Sequence, residues 1–289
     1  MMRRHALKIA ALASLLLTGC AATGSLMEVA GNLSGQKSLA SAGKSFKRSA
    51  ETQEFSEEEK YYTGRTVGAN LLQGEELSEK TSLEAYVNTV GNVVALASGK
   101  GDMPMGWHFM LIKGDEPNAF ACPGGLIFVS EGLVHLCESE DELAGVLGHE
   151  IAHVAIDHPM QAISSANKMA ALSSLAQFGF EQASNGKQGL QMLSGQFKDV
   201  VKDVAKGVTH GYDKGKEKEA DLAAVKMLSE TGYDPRGLKR VLLRLKKSDS
   251  SHGDPQVRAQ DVEALAYESE PVPKTMDVRT ERFKKALGR

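Results

Sequence analysis

Between Gly148 and His158 the chain reads GHEIAHVAIDH, which closes a longer helical run, LAGVLGHEIAHVAI. This run constrains the fold more than any other. Ser139 and Glu142 stand before it with the spacing of a capping box, so the predicted helix has a defined start. On that helix His149 and His153 lie four residues apart and project from one face, one turn from each other. Two imidazoles so placed can reach one metal ion at about 2.0 to 2.1 Å, which residues one or two positions apart cannot do. Glu150 sits beside the first histidine, where its carboxylate can take a proton from water next to the ion. Ala144, Gly145, Gly148 and Ala152 make the helix small-sided, at a cost in helix stability, which suggests close approach of another backbone. Without a metal, the same letters describe an amphipathic helix with scattered histidines.

A catalytic zinc takes three protein ligands and keeps one position open. The metzincin spacing asks for Gly at position 156 and His at position 159, but Ile156 and Pro159 stand there, and His158 misses by one. His158 is therefore assigned to the helix end, as a cap or hydrogen-bonding group, where a cation is favoured. The thermolysin-like spacing asks for a glutamate about twenty residues past His153, and Ser173 and Ser174 stand there instead. The remaining candidate is EKEAD, Glu217 to Asp221. In a helix, Glu217 and Asp221 share a face continued by Ala224 and Leu228, so that face points inward, while Glu219 points roughly opposite. Buried carboxylates need partners. Glu217 as third ligand and Asp221 as acceptor for the ring N–H of a ligating histidine would satisfy both. Lys216, Lys218 and Glu219 read as a solvated face.

The ends bound the domain. Residues 1–19 carry a basic start (Arg3, Arg4, Lys8) and an apolar run from Ile9 to Leu17 that is too short to span a bilayer, as in a secretory signal. Leu17-Thr18-Gly19-Cys20 resembles the lipobox of bacterial lipoproteins, which implies acylation of Cys20 and, with Ala21 following, the outer membrane. A plain secretory signal with an incidental cysteine is the alternative. Residues 20–54, rich in Ser, Gly, Ala and Lys, read as a tether. Loss of the first nineteen residues takes the formal charge from −3 to −6, and without a contiguous basic patch no nucleic-acid partner is expected. Cys122 and Cys137 then remain, either as a disulfide or as two buried thiols.

Further helices are predicted from Ser56, where Ser56 and Glu59 form another capping box, and over about Ser82–Ala97, Glu131–Cys137, Glu217–Glu230, Leu238–Leu245 and Pro255–Glu268. Strands are predicted over Trp107–Ile112 and Leu126–Val129, with EPNAFACPGG between them as an extended segment closed by two glycines. Residues 160–210 read as a glycine-broken helical hairpin, a possible flap, and residues 271–289 as a charged tail. Few strands packed on many helices make an α+β domain over residues 55–270.

HEIAH followed by ExxxD, with NAFACPGGLIFVSEGL before and HGDPQVR after, resembles the zinc metallopeptidase family that includes the CaaX prenyl endopeptidases and the HtpX heat-shock proteases. The similarity runs from about Glu57 to Leu265 and comes nearest to that family's short envelope lipoproteins. It implies a zincin-like, mostly helical α+β domain with a small sheet over the HExxH helix. It also implies one zinc ion on His149, His153 and Glu217, Glu150 as general base and Asp221 behind a ligand. Asn118, Ala119, Phe120 and Ala121 would belong to the edge strand that binds substrate, with core packing as the alternative for Phe120. His252 matches the family histidine near the metal, an oxyanion stabiliser or access regulator, with a solvated loop histidine as the alternative. Tyr212-Asp213-Lys214 departs from the usual Tyr-Ser-Arg, and Cys122 replaces a usual leucine. The expected function is a zinc endopeptidase, lipid-anchored in the cell envelope facing the periplasm, that cuts misfolded or unassembled envelope polypeptides. The competing expectation is a non-proteolytic binding or assembly factor with a structural zinc.

Overall fold

A computed structural model describes residues 55–73, 75–101, 103, 105–161, 205, 208, 211–246, 252–267 and 275–289. The expected signal, the tether with Cys20 and nearly all of the expected flap lie outside the described residues. The chain divides into two compact units, Met1–Tyr62 with Ile163–Val200, and Thr63–Ala162 with Val201–Arg289. Of the first, only residues 55–62 are described. They open α1 (Glu57–Leu71) with a reciprocal capping box: Ser56 Oγ accepts from the Glu59 N–H at 3.2 Å, and the Ser56 N–H donates to Glu59 Oε2 at 2.7 Å.

The second unit carries a three-stranded sheet of β1 (His108–Ile112), β2 (Ala119–Cys122) and β3 (Leu126–Ser130) in the order β1-β3-β2. β3 is parallel to β1 and antiparallel to β2, with Phe120 opposite Phe128. The central run LIFVS is buried throughout, as a strand covered on both faces must be. The segment read as extended, and expected from the resemblance to be an edge strand, contains β2 at one edge of this sheet. It turns into β3 through Pro123–Gly125, where Gly124 (φ 68°) and Gly125 (φ 80°) adopt left-handed conformations. Phe120 stacks on Phe128 with ring centroids 5.0 Å apart and is buried, so its side chain belongs to the core.

Helix α2 (Thr81–Ala95) packs on β1, and α3 (Glu131–Leu136) follows β3, capped by Ser130 Oγ accepting from the Leu133 N–H. The next helix, α4 (Glu140–Ala155), holds the HExxH residues and is buried from Glu140 through Val154. Its small side is where its neighbours come close. α6 (Lys214–Glu230) passes Gly148, whose added Cβ would meet Ala224 Cα at 3.7 Å. α7 (Gly237–Arg244) passes Gly145 so tightly that an added Cβ would stand 2.5 Å from the Leu238 backbone nitrogen. Helix α5 (His158–Gln161) turns back from the end of α4, and α8 (Pro255–Tyr267) packs on α6 and α7.

The charged segment expected to be a tail is instead helix α9 (Met276–Ala286), packed against α4 and α2. Phe283 is fully buried, Arg279 Nη2 donates to Asp141 Oδ1 at 2.6 Å, and Arg282 pairs with Glu140. These arginines neutralise acids in the first turn of α4, where negative charge is favoured but burial demands a partner. Glu142 in the same turn pairs with Arg240 and Arg244 of α7. Cys122 and Cys137 are free thiols, both buried. Among the described residues no helix is long and apolar enough to cross a membrane.

Candidate metal centre

Helix α4 delivers His149 and His153 with their Nε2 atoms 3.0 Å apart. Helix α6 faces them because Ala224 packs beside Gly148, with Ala220 and Leu228 also buried, which brings Glu217 into the same space. Glu217 Oε2 lies 3.3 Å from His149 Nε2, and its Oε1 lies 3.8 Å from His153 Nε2. His252, ahead of α8, puts Nδ1 3.2 Å from Glu217 Oε2 and Nε2 3.7 Å from Glu150 Oε1. His149, His153, Glu217 and His252 each offer a ligand atom within 4.8 Å of the others, so this buried group could hold a metal ion. Its imidazole nitrogens and carboxylate oxygen are the donor types zinc accepts.

The partners behind these groups fix their orientation. Asp221 Oδ1 is 2.9 Å from His149 Nδ1, and Arg258 grips the same carboxylate, with Nη2 to Oδ1 at 2.7 Å and Nε to Oδ2 at 3.0 Å. A second backing pair lies behind His153, whose Nδ1 is 2.9 Å from His158 Nδ1. Tyr212 lays its ring 4.7 Å from that of His153 and donates its backbone N–H to Glu217 Oε1 at 3.0 Å. Asp213 caps α6, accepting from the Gly215 and Lys216 N–H groups, which sets the first turn that carries Glu217.

Burial and the Arg258 guanidinium oppose charge on His149, but its hydrogen bonds to Asp221 and Glu217 outweigh them and hold its pKa at about 9. His153 goes the other way, far below the usual histidine value, through burial and then through charge repulsion from its neighbours His149 and His252. Burial works against ionised Glu217, yet hydrogen bonds from His149 and His252 hold its pKa well below the carboxylate range. Glu150 Oε2 is buried and has no hydrogen-bond partner among the described residues. Both Glu150 and His149 line a pocket with Asn118 and Ala119 of the β2 edge and with Val241 and Leu242 of α7. An orphan carboxylate oxygen beside a metal-ligating set is where a water or a substrate N–H has a use.

Residues 81–266 match Peptidase family M48. The chain belongs to that family. Among its relatives, a beta-barrel assembly-enhancing protease of Yersinia pestis is 28% identical over 275 residues, 91% of this chain and 54% of the relative. Mitochondrial metalloendopeptidase OMA1 of Schizosaccharomyces pombe is 29% identical over 168 residues, 58% of this chain and 45% of the relative. A protease HtpX homolog of Thermodesulfovibrio yellowstonii is 30% identical over 121 residues, 40% of each. The chain spans about half the length of the curated relatives it matches.

The resemblance read from HEIAH, EKEAD, NAFACPGG and HGDPQVR is thus borne out, and so is the α+β fold, mostly helical with a small sheet. The M48 domain brings together His149, His153, Glu150, Glu217, Asp221 and His252, while Asn118 and Ala119 line the pocket beside them. Its Arg258, Tyr212 and His158 were not expected at the site. Arg258 ends the HGDPQVR motif, which was the available signal. His158 differs from expectation: it hydrogen-bonds a histidine ring instead of closing the end of α4.

Proposed function

We propose that this M48 domain is a zinc-dependent endopeptidase, with the ion held by His149, His153 and Glu217. Bound there, zinc would polarise the scissile carbonyl and raise the acidity of water. Glu150 takes the proton of the attacking water and returns it to the leaving amine. Glu150 lines the pocket, and its buried Oε2 has no hydrogen-bond partner among the described residues; that is the observation that carries this reading. A substrate strand pairs with the backbone of Asn118–Ala121 on the outer edge of β2 and so crosses the pocket extended. Asp221 holds His149 through its Nδ1–H, and Arg258 keeps that carboxylate ionised and in place.

The lipobox-like Cys20 and the beta-barrel assembly-enhancing relatives support a protease tethered by lipid to the outer membrane, facing the periplasm. There it cuts misfolded or unassembled envelope polypeptides. Purified Glu150→Gln protein should keep stoichiometric zinc and lose cleavage of an unfolded protein; cleavage at the wild-type rate would refute the role of Glu150. Mass spectrometry of the mature amino terminus tests the lipid. The position of His252 within the same donor group favours a second reading, a closed structural zinc site in a binding factor. Full rescue of a deletion phenotype by Glu150→Gln would select that reading.

A further inference from the structure

We infer that His158 and Glu219 form a positioning relay that fixes the tautomer of His153 and thereby sets metal affinity; the inference rests on His153 being a ligand. His153 turns Nε2 toward His149 and Glu217, and its other nitrogen, Nδ1, lies 2.9 Å from His158 Nδ1. One proton must lie between those two nitrogens. If His158 supplied it, a neutral His153 would carry its own proton on Nε2, and no lone pair would face the site. If His153 supplies it, the Nε2 lone pair is free to ligate. His158 then accepts on Nδ1 and, as a neutral ring, carries its proton on Nε2. That nitrogen lies 3.3 Å from Glu219 Oε2, and an ionised carboxylate can only accept. Glu219 thus selects the His158 tautomer, and His158 selects that of His153.

The fold makes a specific effort to build this relay. His158 is fully buried, whereas the Glu219 side chain is 63% exposed, so the chain of groups runs from the surface to the site. Helix α4 ends at Ala155, and Asp157 takes a left-handed φ of 62°, the only positive value at a non-glycine among the described residues. That strained turn folds the chain back and places His158 against His153. Lys100 Nζ holds the Asp157 carboxylate at 3.3 Å. The two candidate histidine ligands are consequently backed differently, His149 by the Asp221 carboxylate and His153 by the His158 imidazole.

The test is zinc affinity of the purified full chain, measured by competition with a chelating dye. His158→Phe keeps the ring volume and removes the acceptor, and should weaken zinc binding roughly 10- to 100-fold, the range for loss of a group behind a ligand. His158→Asn, whose side-chain oxygen can stand near the lost Nδ1, should recover most of it. Recovery by asparagine separates positioning from packing, because asparagine fills the cavity worse than phenylalanine does. Glu219→Ala, at an exposed position that does not threaten folding, should weaken binding several-fold. If Glu219→Ala binds zinc as wild type does, or if His158→Phe folds and does so, the relay is refuted. Failure of the wild-type chain to take up stoichiometric zinc would refute the metal reading itself.

Discussion

Two glycines on α4, three residues apart, should respond to alanine with opposite signs. At Gly145 an added Cβ would stand 2.5 Å from Leu238 N and 2.8 Å from Leu238 Cα. Both are backbone atoms, so no side chain can swing aside, and α7 must retreat by about 1 Å to restore ordinary contact at 3.5–4.0 Å. Overpacking costs about 1–3 kcal/mol, and contact with backbone puts this site at the upper end. Alanine returns about 1 kcal/mol of helix propensity, leaving a net loss of about 2 kcal/mol. At Gly148 the nearest atoms are Val94 Cγ1 at 3.5 Å and Ala224 Cβ at 3.6 Å, which is ordinary contact. Only the propensity gain of about 0.5–1 kcal/mol then applies. In a domain of this size 1 kcal/mol moves Tm by about 2–4 °C, so Gly145→Ala should lower Tm by roughly 4–8 °C and Gly148→Ala should raise it by roughly 1–4 °C. Thermal unfolding followed by circular dichroism measures both. Equal losses in the two variants, or an unchanged Gly145→Ala, would refute the helix contacts on which the site is built.

Phe283→Ala empties a fully buried position on α9, where the ring meets Tyr86 of α2, and should cost about 3–5 kcal/mol in denaturant unfolding, whereas a free tail would give no change. Glu131 is held below the usual carboxylate range by hydrogen bonds from Lys80 and Ser78. A lowered folded pKa contributes stability that is present above the unfolded pKa and lost as pH falls through the folded one. The Tm gap between wild type and Lys80→Ala should therefore shrink as pH drops from about 5 to about 3. Burial pushes the Cys122 and Cys137 thiols far up, so neither should react with iodoacetamide at pH 8 in the native chain, and both should react once it is unfolded.

Local spacing is what the sequence makes legible. Helix α4 follows from its cap and its period, and the inward face of Glu217 and Asp221 follows from i, i+4 geometry on α6. Even the small side of α4 announced close neighbours, although it could not say that Gly145 meets Leu238 and Gly148 meets Ala224. The C-terminal segment MDVRTERFKKA reads as a charged tail because charges look solvated in one dimension, whereas it folds as α9. Arg279 and Arg282 answer acids 138 and 142 residues earlier in the chain.

His158 shows the same division inside one short stretch. The order of residues determined that His149 and His153 share a face, with Glu150 beside them, because a helix fixes that from sequence separation alone. It also determined that His158 lies off the metzincin spacing. Only the tertiary structure decided what His158 does instead, because the left-handed turn at Asp157 and the approach of α6 with Glu219 are set by packing. Local hydrogen bonding writes the ligand face into the sequence, whereas the groups that orient those ligands arrive from distant segments and become visible only when the core brings them together.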